Sequence, residues 1–313
     1  MKKTELTYRI IHAVFYSLSL LPFRILYIFS DIAYLVVYYV VRYRRRLVRS
    51  NLTSAFPEKS EKEIKRIEKR FYHFLCDYLN ETIKLLSISS DELLRHIEFR
   101  NVEQLEESFD RGQPCAAILG HYGNWEWLSA TGLAMKRHKE AVMGLIYHPL
   151  YSSQAFDRLF LDIRQSMGGV CIERRDILRK LVEYKRENRM SLFGYIADQS
   201  PKWMNIHLWL DFLNHDTPVF TGAERIMRKM KNTVFYVDMQ RTSRGHYVCT
   251  FRKLTDKPQE MEEFEITRRF FAMLEQSIRN NPEVYLWTHN RWKRTHEEYD
   301  RRMKEKEEHE KTE

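Results

Sequence analysis

A histidine and a glutamate five positions apart form the pattern in this sequence best suited to catalysis. His121 lies between two glycines, Gly120 and Gly123, and Glu126 follows it. A carboxylate that orients an imidazole turns it into a general base for a hydroxyl group. On one continuous helix, residues five apart would lie about 140° apart around the axis. The two side chains can therefore meet only if His121 lies in a turn before the helix, which the glycines permit.

The residues around this pattern indicate a strand before it and a helix after it. Residues 115–119 form a short apolar run that ends at Gly120, and Asn124 is placed to cap a helix that begins at Trp125. Ligands of open α/β sheets bind beyond the carboxyl ends of the strands. Glu126 would then lie in the first helical turn, where the helix dipole favours a carboxylate. The free N–H groups of that turn would suit a developing oxyanion.

Short apolar runs that alternate with helical patterns predict an α/β fold with a central, mostly parallel sheet flanked by helices. The predicted strands cover residues 115–119, 141–147, 190–196, 233–239, 247–251 and 284–287. The predicted helices cover residues 58–86, 125–136, 153–167, 177–187, 221–231 and 260–280, with Ser60 or Asp91 as candidate caps near the first. The turn 243–245 predicts a hairpin at one edge of the sheet.

Charge and hydropathy both distinguish the N-terminal segment. The formal net charge is +9 at pH 7, and nine basic but only two acidic residues lie within residues 1–50. These charges flank the apolar stretch 10–41, whose longest uncharged run has 14 residues, fewer than the roughly 18 that an unambiguous spanning helix needs. Its many Tyr and Phe residues and the basic residues 42–46 predict an apolar helical membrane anchor. The anchor either spans the membrane or lies on it, and a pair of buried core helices is the alternative.

Composition and missing motifs exclude several other classes of protein. A mean hydropathy of -0.55 excludes a polytopic membrane protein. The four cysteines are widely spaced, which excludes a disulfide framework and a cysteine zinc cage: Cys76, Cys115, Cys171 and Cys249. The sequence has no H-E-x-x-H, G-x-S-x-G or phosphate-binding G-x-x-x-x-G-K-[ST] motif. Charges beyond residue 50 nearly balance, which argues against a nucleic-acid partner.

These patterns together predict three parts of the chain. Residues 1–45 form the membrane anchor with its basic flank, residues 46–298 form the α/β catalytic domain, and residues 299–313 form a charged flexible tail.

Five segments occur in the order found in a known enzyme family. In chain order they are Arg-Arg-Arg-Leu-Val-Arg-Ser-Asn-Leu-Thr-Ser-Ala-Phe-Pro at 44–57, Gly-His-Tyr-Gly-Asn-Trp-Glu-Trp at 120–127, Asp-Ile-Arg-Gln-Ser-Met-Gly at 162–168, Ala-Asp-Gln at 197–199 and Trp-Thr-His-Asn-Arg-Trp-Lys at 287–293. Over about residues 10–295 the chain resembles the bacterial lipid A late acyltransferases of the lauroyl/myristoyl type, within the H-x4-D/E lysophospholipid acyltransferase superfamily.

The resemblance implies an enzyme of the inner membrane whose catalytic domain faces the cytoplasm. Such an enzyme moves a fatty acyl chain from acyl carrier protein to a hydroxyl of a lipid acceptor, here a lipid A precursor. It implies no metal and no organic cofactor. The basic residues 42–46 separately indicate an anionic phospholipid surface as a further partner.

The resemblance also implies roles for individual residues. His121 would be the general base and Glu126 its orienting carboxylate, while Arg164 and Asp198 would be further catalytic residues. An arginine can bind a phosphate of the acceptor or carrier through two parallel hydrogen bonds.

Substrate binding is implied for Gly123, Asn124 and Arg164. Because Arg158 lies six residues before Arg164, either arginine could be the one that the family's motif contains.

Two alternatives stay open. Residues 199–218 depart from the family's pattern, so the acceptor could instead be an aminolipid or another phospholipid. From a different class, the chain could be a non-catalytic scaffold that binds anionic lipid through the basic residues 42–49.

Overall fold

A seven-stranded sheet forms the centre of the computed structural model, which describes residues 2–310. In chain order the strands are β1 (Ile97–Arg100), β2 (Cys115–Leu119), β3 (Val142–Tyr147), β4 (Val170–Glu173), β5 (Ser191–Ile196), β6 (Trp209–Phe212), β7 (His215–Pro218), β8 (Thr233–Ser243) and β9 (His246–Thr255). The sheet order is β1-β9-β8-β2-β5-β3-β4, and β6 and β7 form a separate antiparallel pair. Within the large sheet only β8 and β9 pair antiparallel, so the predicted mostly parallel α/β sheet is confirmed.

Helices flank this sheet. Within residues 2–310 they are α1 (Lys2–Ser19), α2 (Phe23–Leu35), α3 (Arg45–Ala55), α4 (Glu61–Lys84), α5 (Ser90–His96), α6 (Glu103–Asp110), α7 (Thr131–Ala134), α8 (Gln154–Gln165), α9 (Ile177–Arg186), α10 (Gly222–Met230), α11 (Glu265–Asn280) and α12 (His296–Glu310). A π-helical segment, Val36–Val41, continues α2. Short 3₁₀ segments cover Trp125–Ala130, Trp203–Asn205, Pro258–Glu260 and Pro282–Val284.

The longest helix, α4, begins where the sequence indicates. The hydroxyl of Ser60 accepts a hydrogen bond from the backbone N–H of Glu63, and the Glu63 carboxylate accepts one from the backbone N–H of Ser60. This capping box satisfies two N–H groups that would otherwise lack partners. Ser60 is therefore confirmed as the cap.

Strand β2 lies at the middle of the sheet and leads directly to His121. All five of its residues are buried, as expected for a strand covered by helices on both faces. It pairs in parallel with β5, with Leu119 opposite Ile196. The segments that follow the two strands therefore emerge side by side, which brings His121 and Asp198 to the same edge of the sheet.

The structure corrects several predicted elements. The β8–β9 hairpin is not at the edge of the sheet, because β1 pairs with β9 and covers it. The run predicted as a strand at 284–287 forms only an isolated bridge between Tyr122 and Tyr285. The single helix predicted at 125–136 consists of the 3₁₀ turn Trp125–Ala130 and the short α7.

The two ends of the chain were predicted as an anchor and a tail. Residues 296–310 of the charged end are helical, and residues 311–313 lie outside the described part. At the other end, Phe23–Val41 is a helical stretch of 19 residues with a mean hydropathy of 1.6, long and apolar enough to cross a membrane. Only 17% of that stretch is buried, which does not fit the alternative of buried core helices.

Candidate active site

His121 and Asp198 form a hydrogen-bonded pair at the carboxyl ends of β2 and β5. Nδ1 of His121 lies 2.7 Å from Oδ1 of Asp198, a carboxylate that is 2% exposed. An ionised carboxylate only accepts hydrogen bonds, so it holds the imidazole proton on Nδ1. Nε2 is then left with its lone pair, and Nε2 of Gln199 lies 3.3 Å from it. The pair has the arrangement of a general base with its orienting carboxylate.

The hydrogen bonds of His121 and the charge of Arg291 keep Asp198 ionised. Burial alone would raise the pKa of this carboxyl, but the electrostatic attraction and hydrogen bonds of His121, together with the charge of Arg291, lower it. Arg291 is itself 2% exposed, and burial lowers the pKa of its guanidinium to about 10. It donates to the backbone carbonyl of Pro218 at 2.8 Å, while its Nε and Nη1 find no partner among residues 2–310. Arg291 thus remains a cation close to Asp198 at neutral pH.

Glu126 does not take the place predicted for it, and the structure corrects the expectation that it orients His121. Its two oxygens accept hydrogen bonds from Nε and Nη2 of Arg164 at 2.8 and 2.7 Å. Glu126 is the second residue of the 3₁₀ segment Trp125–Ala130, and its side chain contacts Arg164 of α8 instead of His121. A buried carboxylate requires a charged partner, and Arg164 supplies two parallel hydrogen bonds.

Contacts distinguish the two arginines of α8. Arg164 faces inward, and although burial opposes its charge, the hydrogen bonds and charge of Glu126 raise its pKa above the usual value. Arg158 points away, forms an ion pair with Glu5 of α1 at 2.8 Å and has a half-exposed side chain. Of the two, Arg164 is therefore the one beside His121 in the cleft described below.

Asn124 and Gly123 were predicted to bind substrate, but neither faces open space. Asn124 is fully buried and does not cap the helix with its side chain; its amide donates to Glu81 at 2.9 Å. Gly123 has a φ of +64°, and a Cβ atom there would lie 2.2 Å from the carbonyl oxygen of Met239. Its N–H is bonded to Val284. Both residues fix the turn that carries His121.

An open cleft of about 520 Å³ lies in front of His121. Glu126 and Arg164 also line it, and most of the remaining lining is apolar or aromatic: Leu75, Tyr78, Leu79, Trp125, Leu145, Ile146, Tyr147, Leu150, Phe160, Leu161, Ile196 and Leu286. A polar pair at one point of an apolar cleft is typical of a site for an elongated hydrocarbon ligand with one reacting group.

The sequence reasoning missed Glu81, which supports this site from α4. Glu81 is fully buried and also accepts a hydrogen bond from the hydroxyl of Tyr247 at 2.7 Å. Burial raises the pKa of this carboxyl, against the effect of its hydrogen bonds. Its position was a signal, because Glu81 falls on the apolar stripe of α4 three residues after Tyr78 and seven after Phe74.

His289 packs beside the pair as a neutral histidine. Its Nε2 accepts a hydrogen bond from the backbone N–H of Ser200 at 3.4 Å. Burial lowers the pKa of His289 to about 4, although Asp198 opposes the shift.

Replacing His289 with asparagine is expected to make the protein less sensitive to acid. The unfolded chain takes up this proton near the ordinary value of 6.5 and the folded protein only near 4, so His289 costs stability as the pH falls between them. The decrease in Tm between about pH 7.5 and about pH 5 should be smaller in His289→Asn than in the wild type. The exposed His207→Asn is the control, and equal decreases in all three proteins would contradict this reading.

Within residues 2–310, no three His, Cys, Asp or Glu side chains are grouped so that they could hold a metal ion.

The sequence matches, over residues 3–294, the family model described as bacterial lipid A biosynthesis acyltransferase. That range includes His121, Asp198, Glu126 and Arg164. None of the curated proteins matches the sequence.

Proposed function

The chain belongs to the bacterial lipid A biosynthesis acyltransferase family and is an acyltransferase with a lipid acceptor; from this we propose that it transfers a fatty acyl chain from acyl carrier protein to a hydroxyl of a lipid A precursor. The observation that supports this proposal most is the His121–Asp198 pair inside a largely apolar cleft. The cleft accommodates the acyl chain, and the pair supplies the base.

In the proposed reaction, Nε2 of His121 takes the proton of the acceptor hydroxyl as its oxygen attacks the thioester carbonyl. The hydroxyl replaces Gln199 as the hydrogen-bonding neighbour of Nε2. The tetrahedral intermediate then collapses, the carbon–sulfur bond breaks, and the imidazolium returns the proton to the leaving thiolate. The products are an ester and a free thiol. Asp198 keeps the proton on Nδ1 and stabilises the imidazolium between the two transfers.

Arg164 is proposed to bind a phosphate of the acceptor or of the carrier's prosthetic arm. Glu126 fixes two of its nitrogens, and Nη1 has no partner among the described residues. A guanidinium is planar, so the two hydrogen bonds to Glu126 also fix the direction in which Nη1 points. Arg164 and Glu126 therefore act as one substrate-binding unit beside His121.

The proposed location is the inner membrane, with the catalytic domain on the cytoplasmic side. The reasons are the family, the apolar helix near the N-terminus and the thioester donor, which is a cytoplasmic protein.

Purified protein in detergent micelles tests donor and acceptor together. Acyl carrier protein and coenzyme A thioesters of the same chain are each offered with a lipid A precursor, an aminolipid or a phospholipid, and products are identified by mass. We expect a new ester on the lipid A precursor with the carrier-protein donor. Esterification of another lipid instead would overturn the assignment of the acceptor, and a preference for the coenzyme A thioester would overturn the assignment of the donor. If no pair of substrates gave an ester, the proposed reaction itself would be overturned.

Replacing Asp198 with asparagine is expected to lower kcat by about 10²- to 10⁴-fold, because the amide no longer selects the productive tautomer of His121. KM should change little, since Asp198 is buried behind the imidazole. Steady-state kinetics measures both constants. The control is Asp211→Asn at an exposed position of β6, and an Asp198→Asn enzyme as active as this control would contradict the role.

A further inference from the structure

An exposed apolar surface runs along the first two helices. In α1 it includes Leu6, Ile10, Val14 and Leu20, just past the helix end, and in Phe23–Val41 it includes Ile25, Ile28, Phe29, Ile32, Leu35, Val36, Tyr39, Val40 and Val41. Each of these side chains is at least 41% exposed. An exposed apolar surface of this extent marks a contact with a membrane or another protein.

The opposite side of the Phe23–Val41 helix lies antiparallel along α4. At one end, Nζ of Lys84 donates to the backbone carbonyls of Ser19 and Leu21 at 3.0 and 3.1 Å. At the other end, Arg45 is paired with Glu68 at 3.5 Å. The candidate span is thus attached to one helix of the catalytic domain at both of its ends.

Further polar contacts connect the two helices between these ends. The hydroxyl of Tyr27 donates to Glu81 at 3.1 Å, and that of Ser30 donates to the carbonyl of Cys76 at 3.2 Å. Nε2 of His73 lies 2.9 Å from Asp31. To cross a bilayer, the apolar helix would have to separate from α4 or draw its charged residues into the hydrocarbon, where ionisable groups are costly.

An ion-pair cluster attaches the middle of the candidate span to the sheet. Arg244, in the turn between β8 and β9, forms contacts of 2.6 Å with both Asp31 and Asp77. The turn approaches so closely that a Cβ atom on Gly245 would lie 1.9 Å from the hydroxyl of Tyr27. A spanning helix would place Asp31 near the bilayer centre and draw this turn in with it. Irregular backbone exposed to lipid does not occur at that depth.

Helix α1 precedes the candidate span, yet it packs on the catalytic domain that follows it. The hydroxyl of Tyr8 donates to Asp162 at 2.6 Å, and Arg158 pairs with Glu5 at 2.8 Å. Asp162 and Arg158 belong to α8. A crossing between α1 and α3 would place these partners on opposite sides of the membrane.

We propose that the Phe23–Val41 helix does not cross the membrane but lies with α1 in the plane of one leaflet, as a monotopic surface for an anionic bilayer. A bilayer fits this surface because of the positive charge beside it as well as its apolar area. Arg42, Arg44 and Arg46 follow the apolar helix and form no ion pair within residues 2–310. Tyr39 and Tyr43 are exposed beside them, as is common at headgroup depth.

This arrangement places the cleft next to the lipid surface. Helix α8, on which α1 packs, contributes Phe160, Leu161 and Arg164 to the cleft, and the exposed Leu79 and Leu150 lie at its lining. A lipid acceptor would therefore reach His121 from within the leaflet. The inference rests on the membrane association in the proposed function but not on catalysis.

Cysteine labelling in the full-length chain tests the topology. Cys171 is the native cysteine that is not buried, so Cys171→Ser is the background. Thr4→Cys reports on α1 and Lys253→Cys on the catalytic domain; both positions are exposed. With a membrane-impermeant maleimide, we expect both cysteines to react in inverted inner-membrane vesicles and neither in spheroplasts. Reaction of Thr4→Cys in spheroplasts, with Lys253→Cys reacting only in inverted vesicles, would show a crossing and overturn the inference.

Flotation with phosphatidylglycerol-containing vesicles tests the surface itself. Ile28→Gln combined with Ile32→Gln should lower the vesicle partition coefficient by at least about tenfold, since each removes an exposed apolar side chain from the lipid contact. The matched control is Leu94→Gln with Met204→Gln, exposed apolar residues elsewhere. Equal partition of the two double variants would overturn the proposal that this surface contacts the membrane. Acyl transfer in detergent is measured on the same proteins, so that a failed membrane surface and a failed catalytic proposal give different results.

Discussion

Replacing His121 with glutamine is expected to lower kcat by about 10⁴-fold or more, the largest effect on turnover that we expect from one substitution. Glutamine keeps a hydrogen bond to Asp198 but cannot take the acceptor's proton. Because the His121 side chain is partly exposed to the cleft, Tm should stay close to that of the wild type. The measurement is the initial rate of ester formation, with Tm recorded on the same preparations.

His207→Gln is the matched control for this substitution, because His207 is exposed and does not line the cleft. It should leave the rate unchanged. A His121→Gln protein that keeps its rate within about tenfold of the control would exclude His121 as the general base.

Replacing Glu126 with alanine is expected to have the largest effect on stability, about 3 kcal/mol in the free energy of unfolding. The Glu126 side chain is 3% exposed, and its loss leaves the Arg164 cation inside the protein without its partner. Chemical denaturation followed by fluorescence measures the change. Activity should fall as well, because Arg164 loses the contact that directs it into the cleft.

Two comparisons separate this ion pair from a general effect of removing a carboxylate. Glu5→Ala breaks an exposed ion pair with Arg158, which lies on α8 like Arg164. This change should not alter the free energy of unfolding measurably. Glu126→Gln combined with Arg164→Met removes both charges and should recover most of the stability without recovering activity. Wild-type stability in Glu126→Ala would show that the buried pair is not what holds α8 against the turn.

The sheet was largely predictable because its central strands are uniformly apolar. Strands β2 and β5 are buried on both faces, so each is a continuous apolar run that ends at a polar residue or glycine. Strands β1 and β4 escaped prediction because each has four residues and a mixed burial pattern. The hairpin β6–β7 escaped because its turn is formed by Leu213 and Asn214, both with positive φ, instead of by a glycine.

The sequence drew attention to His121, Asp198, Glu126 and Arg164, but not to how these side chains pair. His121 and Asp198 each follow a predicted strand, but only the register of β2 with β5 brings residues 77 positions apart into contact. Spacing alone favoured Glu126 as the neighbour of His121. What decides the pairing is the direction of a 3₁₀ turn and a buried charge that requires Arg164, and neither is visible in local sequence.

The membrane segment illustrates the same limit. Its hydropathy is compatible with spanning, and its composition does not decide between spanning and lying on the surface. The decisive contacts, Arg244 with Asp31 and Lys84 with Leu21, join residues 213 and 63 positions apart. Long-range polar contacts of this kind follow from the fold and not from the helix itself.

The most direct test of the account is mass spectrometry of total lipids from cells that carry either the wild-type chain or His121→Gln. We expect one lipid class to lose a single acyl chain in the variant, and the mass of that class identifies the acceptor. Unchanged lipids, together with a variant that is folded and bound to the membrane, would contradict the acyltransferase mechanism and favour a non-catalytic lipid-binding role.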